Sequence, residues 1–111
     1  MIIVDNALKA RAAENKPIRV GLLGSGFMAR GLANQIANSV PGMRLAAVYS
    51  RRLAPGLDLY DYIGQGGAVE AGTQSVLDEA AERRKPVVTG DAFLLARSPH
   101  IDVLVDTTGS V

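Results

Sequence analysis

The 111-residue sequence contains no cysteine, which excludes disulfide bonds and thiolate metal sites. A reducing compartment is therefore permitted, and we expect a cytoplasmic protein. The chain also lacks an excess of charge of either sign. It has 12 Lys and Arg and 11 Asp and Glu, which leave a formal net charge of +1. Nucleic-acid-binding modules usually carry a strongly basic face, so no nucleic-acid partner is expected.

Long apolar runs are absent as well. No stretch approaches the roughly 20 residues of a membrane span, and residues 1–5 lack the positive leader and apolar stretch of a signal peptide. We therefore expect no membrane partner. The composition that remains is 48% hydrophobic and 21% charged, an ordinary globular mixture at the length of one domain.

Apolar runs and turn residues alternate along the whole chain and predict an alternation of strands and helices. The predicted helices are residues 5–15, 27–39, 69–84 and 91–97, and the predicted strands are residues 18–23, 43–50, 87–89 and 101–105. Residues 51–67, rich in glycine, are predicted as a loop with one helical turn near 57–63. This order is typical of a Rossmann-type, doubly wound α/β fold with a parallel sheet.

Two of the predicted helices present apolar residues that we expect to face the sheet. These residues are Val76, Leu77, Ala80 and Ala81 in the first of them, and Phe93, Leu94 and Leu95 in the second.

Residues 24–29, Gly-Ser-Gly-Phe-Met-Ala, fit the pattern G-x-G-x-x-G/A between a predicted strand and a predicted helix, the context that a dinucleotide-binding turn requires. Gly24 permits the tight turn, Gly26 lets the backbone approach a pyrophosphate, and Ala29 lets the helix lie close to the strand. The alternative is a tight turn without a ligand. The P-loop pattern is missing from the chain, which argues against an NTPase of that class.

The helix after the turn would point its N-terminus at the phosphates. Free N–H groups and the positive end of the helix dipole favour an anion there. We expect the backbone N–H groups of Ser25, Phe27 and Met28 to be the donors.

The end of the second predicted strand bears on the choice of dinucleotide. NAD-binding domains usually place an Asp or Glu there, about 20 residues after the turn, to accept from the ribose 2′-OH. This chain has Ser50, Arg51 and Arg52 instead. Guanidinium groups pair with a 2′-phosphate, so the sequence favours NADP(H) over NAD(H). The alternative is that the two arginines belong to a solvated loop, which would leave the choice between NADP(H) and NAD(H) open.

A second polar segment, residues 106–110, follows the last predicted strand. Ligands gather at the carboxyl ends of strands in open α/β sheets, so Thr107 and Thr108 are candidates for lining a pocket. The alternative is that these residues only form the turn that leads from the strand into a loop, without a ligand. The single histidine, His100, is expected at a turn or on the surface, and Asp58 and Asp61 on a solvated helical turn. No catalytic residue and no metal ligand is assigned.

The residues 18–52, "IRVGLLGSGFMARGLANQIANSVPGMRLAAVYSRR", and 98–110, "SPHIDVLVDTTGS", resemble the N-terminal NAD(P)-binding domain of homoserine dehydrogenase-like oxidoreductases. The resemblance extends to bacterial proteins that join such a domain to a C-terminal SAF domain, among them 1-deoxy-D-xylulose 5-phosphate reductoisomerase-like enzymes.

This resemblance implies hydride transfer between a nicotinamide and a small carbonyl or hydroxyl substrate. Because family members are several times longer, it implies that this chain is the N-terminal part of a homo-oligomeric protein whose catalytic domain lies downstream. The cofactor-binding positions it implies are Gly24, Ser25, Gly26, Phe27, Met28, Ser50, Arg51, Arg52, Thr107, Thr108 and Gly109.

Two other functions stay open at this point. One is a non-catalytic nucleotide-binding sensor or regulatory module. The other is an S-adenosylmethionine methyltransferase, against which the arginines at 51 and 52 count, because those enzymes prefer an acid at the ribose.

Overall fold

The computed structural model describes residues 17–38 and 42–107, and the predicted helix 5–15 lies outside them. The described residues form five strands and four helices. They are β1 (Ile18–Leu23), α1 (Phe27–Asn38), β2 (Met43–Tyr49), α2 (Leu53–Tyr62), β3 (Val69–Ala71), α3 (Gln74–Glu82), β4 (Val87–Thr89), α4 (Ala92–Arg97) and β5 (Val103–Asp106). None of these helices is long and apolar enough to cross a membrane.

The five strands form one parallel sheet in the order β3-β4-β2-β1-β5. The chain passes from β1 to its neighbour β2, then to β3 at the edge of the sheet and back to β4 between β3 and β2, and finally to the other side of β1, where it forms β5. Ligand sites in open α/β sheets lie where the direction of the strand order reverses. The fold therefore places its switch point at the carboxyl end of β1, where the glycine turn begins.

The sheet is covered by helices on both faces, which confirms the predicted doubly wound α/β class. On one face, α1 and α2 pack on side chains that include Val20, Leu22 and Val88. On the other, α3 and α4 pack on side chains that include Ala47 and Val87. Successive residues of a strand pack into the cores on opposite faces of the sheet, because successive side chains point to opposite faces.

The segment predicted as a loop with one helical turn is in fact the ten-residue helix α2. Its proline and glycine do not break it. Pro55 lies in the first turn, where the backbone N–H has no acceptor within the helix. Gly56 is required by packing, because a Cβ at this position would lie 2.6 Å from Cγ1 of Val88. The glycine lets α2 approach β4 closely.

The prediction of one helix over residues 69–84 is wrong at its beginning. Val69–Ala71 form β3, which pairs in parallel with β4. The helix begins after Thr73, whose side-chain oxygen accepts a hydrogen bond from the N–H of Val76. Three residues are too few to display strand alternation, so the pairing with β4 decides this element.

Two apolar side chains expected to be buried are exposed. Val76 is 40% exposed and Phe93 is 68% exposed, whereas their expected partners Leu77, Leu94 and Leu95 are buried. In α4, the two leucines already fill the side that faces the sheet. Phe93 lies under the guanidinium of Arg97 one turn later, 5.7 Å from ring centroid to Cζ.

Candidate functional site

The glycine turn follows β1 and is tied to the neighbouring strand. The N–H of Gly24 donates to the carbonyl oxygen of Tyr49 at the end of β2, at 2.9 Å. Gly24 has φ +123°, a backbone conformation that side chains with a Cβ rarely adopt. The fold itself therefore requires a glycine at position 24, as the motif predicts.

Gly26 begins α1. Its carbonyl oxygen accepts a hydrogen bond from the N–H of Arg30 at 3.0 Å, which makes it the N-cap residue. The N–H groups of the first turn, those of Phe27 and Met28 among them, have no acceptor within the helix. The first turn also carries no acidic residue, so no carboxylate of its own competes for the positive end of the helix dipole.

The space beside Gly26 is open. A Cβ built at this position would meet no atom within 4 Å, and the residue has no positive φ. Neither packing nor backbone geometry therefore requires a glycine here, in contrast to Gly24. The residue leaves room at the helix N-terminus that an anionic group could occupy against the backbone.

Two serines hold the glycine turn in place through hydrogen bonds. The hydroxyl oxygens of Ser25 and Ser50 lie 2.9 Å apart, and the Ser50 hydroxyl donates to the carbonyl oxygen of Arg52. Since the Ser50 proton is directed at that carbonyl, Ser25 is the donor to Ser50. The N–H of Ser50 donates to the carbonyl oxygen of Thr89 at 3.0 Å. Ser50 is 1% exposed. Its hydrogen bonds connect the glycine turn and the end of β2 with β4.

A cavity of about 660 Å³ opens at the switch point. Its walls are formed by Leu23, Gly24, Ser25, Gly26, Tyr49, Arg51, Ala92, Asp106 and Thr107. It contains five of the residues predicted from the sequence: Gly24, Ser25, Gly26, Arg51 and Thr107. Met28, Ser50 and Arg52 are not among its lining residues, and Thr108 and Gly109 lie outside the described part of the chain.

The two arginines after β2 have different positions. Both are exposed, but only Arg51 lines the cavity. Arg52 is the N-cap residue of α2, and its side chain makes no capping hydrogen bond. Within residues 17–38 and 42–107, no carboxylate forms a salt bridge with Arg51. A guanidinium without a paired acid at a cavity wall can bind an anion.

Thr107 fastens β5 to β1 at the cavity. Its N–H and its hydroxyl both donate to the carbonyl oxygen of Leu23, each at 2.9 Å. The hydroxyl is thus used within the fold. The preceding residue, Asp106, is exposed and also lines the cavity. Because β2 and β5 flank β1 on opposite sides, Arg51 and Asp106 lie on opposite sides of the glycine turn.

Four lining residues are not among the predicted site residues: Leu23, Tyr49, Ala92 and Asp106. Tyr49 is the last residue of β2, and its position at a strand end next to the turn is a signal that could have found it. Ala92 begins α4, and no local pattern connects it with a turn 66 positions earlier. Only the packing of α4 on the sheet places it there.

The residues set aside in the sequence lie away from this cavity. Asp58 and Asp61 are exposed on α2, as expected. His100 is half-buried in the turn before β5. In the part of the chain that the structure describes, no group of three or more His, Asp or Glu side chains could hold a metal ion.

Together these features define the class: a Rossmann-like α/β domain with a glycine turn and an open cavity at the switch point of its sheet. Comparisons of the chain with protein-family models and with curated proteins find no match. The class is therefore established by the fold and the site alone.

Proposed function

We propose that this chain is an NADP(H)-binding domain of an oxidoreductase similar to the homoserine dehydrogenase-like and 1-deoxy-D-xylulose 5-phosphate reductoisomerase-like enzymes. The observation that carries the proposal is the open space at Gly26. A glycine without a conformational or packing reason, at a helix N-terminus without acidic residues, is explained by a pyrophosphate that lies against the backbone.

The charges at the cavity support NADP(H) over NAD(H). Arg51 follows β2, where the ribose 2′ position of a bound dinucleotide lies in this class of fold. A guanidinium forms charge-assisted hydrogen bonds with a 2′-phosphate, whereas a 2′-OH calls for a carboxylate. Asp106, the carboxylate at the cavity wall, lies on the opposite side of β1, so it repels a phosphate bound at Arg51 less than an acid at the end of β2 would.

The nicotinamide would supply a hydride to a small carbonyl substrate or accept one from a hydroxyl. In this proposal the chain's own residues bind and orient. The turn holds the pyrophosphate, Arg51 holds the 2′-phosphate, and the end of β5 borders the nicotinamide side. The catalytic residues would come from a separate domain, as the family resemblance implies.

Isothermal titration calorimetry of the purified chain with NADPH, NADH and S-adenosylmethionine tests the proposal. We expect NADPH to bind at least about tenfold more tightly than NADH, the effect of one or two charge-assisted hydrogen bonds. Arg51→Gln should reduce this preference, and Arg52→Gln should reduce it less, because its side chain does not line the cavity.

The exposed Arg83, on the far side of the sheet from α1, provides a charge-matched control. Arg83→Gln should leave both affinities unchanged. If NADPH does not bind the folded chain, the dinucleotide function is wrong. Tightest binding of S-adenosylmethionine would point to a methyltransferase instead.

A further inference from the structure

The helix α4 contributes to one wall of the cavity at the switch point through its first residue, Ala92. It follows β4, which lies on the same side of β1 as β2, whereas β5 lies on the other side. Ala92 and Arg51 are therefore on one side of the glycine turn, and Thr107 is on the other. Since the proposed function binds the 2′-phosphate at Arg51, the adenosine half of the dinucleotide is the half that lies against α4.

This short helix has little apolar packing to fix its position. It has six residues, of which only Leu94 and Leu95 are buried. An isolated helix of this length is not stable in water, so its position depends on its contacts with the rest of the fold. The polar contacts between α4 and the neighbouring helix α3 therefore bear directly on where the cavity wall lies.

Gln74 and Asp78, one turn apart on α3, hold α4 at two points. Nε2 of Gln74 donates to the carbonyl oxygen of Leu94 at 3.0 Å and to Oδ1 of Asp78 at 3.1 Å. The same Oδ1 accepts from the hydroxyl of Ser98, the C-cap residue of α4, at 2.6 Å. Ser98 is 6% exposed, so this bond is sheltered from water. We call Gln74, Asp78 and Ser98 the α3–α4 clamp.

Gln74 makes its two hydrogen bonds at a cost to stability. Both atoms that its amide group faces are acceptors, so the nitrogen has to point at them. The amide oxygen Oε1 is then buried, and within residues 17–38 and 42–107 it has no hydrogen-bond partner. An unsatisfied buried acceptor destabilises a folded protein. Natural proteins break such rules at functional sites, which favours a role for the clamp beyond stability.

We propose that the α3–α4 clamp positions the α4 wall against the adenosine half of the dinucleotide, so that its three members are positioning residues of the site. The inference rests on the proposed function. None of the three side chains lines the cavity, so each acts through α4 and not by contact with the ligand. Asp78 is the central member, because its Oδ1 joins the other two. A binding site keeps its geometry when hydrogen bonds behind it fix the residues that form it.

NMR titrations of the full chain with NADPH and with two fragments of the cofactor test this inference. One fragment is adenosine 2′,5′-bisphosphate, which carries the 2′-phosphate, and the other is nicotinamide mononucleotide. Asp78→Ala should weaken the binding of NADPH and of adenosine 2′,5′-bisphosphate by about tenfold, because α4 is no longer held in place before the ligand binds. Binding of nicotinamide mononucleotide should stay unchanged, because the nicotinamide side of the site lies at β5. A merely structural role would affect both fragments alike.

Three further variants refine the test. Asp78→Asn keeps an oxygen that can accept from Ser98 and Gln74, so it should retain most of the affinity that Asp78→Ala loses. Ser98→Ala removes one bond of the clamp and should weaken the same two ligands. Glu79→Ala is the matched control, because Glu79 is the next acid on α3 and pairs with Arg83 on the surface. It should leave all affinities unchanged. Circular dichroism establishes that each variant is folded, and if Asp78→Ala does not fold, Ser98→Ala decides by the same criteria.

The outcomes separate this inference from the proposed function. If the unmodified chain does not bind NADPH, the proposed function is wrong and the inference falls with it. If NADPH binds the unmodified chain and the folded Asp78→Ala variant equally well, the proposed function stands and the inference is overturned. An equal loss of affinity for both fragments, or an equal loss in Glu79→Ala, also overturns it, because the effect would then be a general destabilisation.

Discussion

The hydroxyl oxygens of Ser25 and Ser50 lie 2.9 Å apart, which joins the glycine turn to the residue that follows β2. Ser50 is buried, and its own hydroxyl proton is directed to the carbonyl of Arg52. One side chain thus couples the two segments that the proposed dinucleotide would touch: the turn at the pyrophosphate and the arginines at the 2′-phosphate.

Ser50→Ala should therefore lower both stability and NADPH affinity. It removes the acceptor for Ser25 and the donor to Arg52, which costs about 1–3 kcal/mol in the free energy of unfolding when buried partners are left unsatisfied. Urea unfolding of Ser25→Ala, Ser50→Ala and the double variant measures the coupling. Ser75→Ala, on the exposed start of α3, is the control. Strictly additive effects of the two substitutions would show that the hydrogen bond contributes nothing.

The two glycines of the turn should respond in opposite ways. Gly24→Ala forces a Cβ into a backbone with φ +123° and should lower the free energy of unfolding by about 1–2 kcal/mol. Gly26→Ser should keep or raise stability, since serine is a good N-cap residue and the space is open. It should nevertheless abolish most NADPH binding. Chemical denaturation and calorimetry on both variants check this, and unchanged NADPH affinity in Gly26→Ser would contradict the proposed phosphate position.

Two helical glycines provide a similar contrast for packing. Gly56→Ala should destabilise by about 1–3 kcal/mol, because the added Cβ would lie 2.6 Å from Cγ1 of Val88 and 3.0 Å from Cβ of Ser50. Gly31→Ala in α1 meets open space and should stabilise by about 0.5–1 kcal/mol through helix propensity. Thermal unfolding of the two variants measures both effects. A neutral Gly56→Ala would mean that α2 can move away from β4 at little cost.

Tyr60 should make the protein sensitive to alkaline pH. Burial raises the pKa of its phenol, while the Val87 backbone and the charge of Arg44 lower it. In the unfolded chain the phenol ionises near pH ~10. The folded state then holds its proton more tightly, so this contribution to stability is present below pH ~10 and falls by at most about 1.4 kcal/mol per pH unit above it.

Tyr60→Phe should flatten this decline. Unfolding free energies measured by denaturant titration between neutral and alkaline pH provide the comparison. Tyr62→Phe, on the same helix but 60% exposed, is the control and should follow the unmodified chain. An equal alkaline decline in Tyr60→Phe would show that another group is responsible.

The three elements from β1 to β2 could be predicted almost residue by residue. β1 has the predicted bounds, and α1 and β2 begin where the sequence places them, because each is long enough to show its own periodicity. α2 was missed because Pro55 and Gly56 act as turn signals in isolation. In the fold, the first-turn position of the proline and the contact of the glycine with β4 make both compatible with a helix.

The candidate site could be predicted only in part. The turn at 24–26 follows from a local motif, but the exposed Arg51 and Arg52 are indistinguishable in sequence. The start of α2 at Leu53 separates them, since it makes Arg52 the N-cap residue and leaves Arg51 at the cavity. Ser50, which the resemblance implies as a cofactor contact, lies in the interior and supports the turn.

The sequence by itself determined the class of fold and the position of the glycine turn, because alternating strands and helices and a six-residue motif are encoded by neighbours along the chain. The tertiary structure alone decided what distant residues do together. Arg19, Arg44 and Arg84 are far apart in sequence and meet at one end of the sheet only because β1 and β2 pair in that register and α3 ends above them. Strand pairing and helix packing are long-range contacts, and no local pattern specifies which charges they bring together.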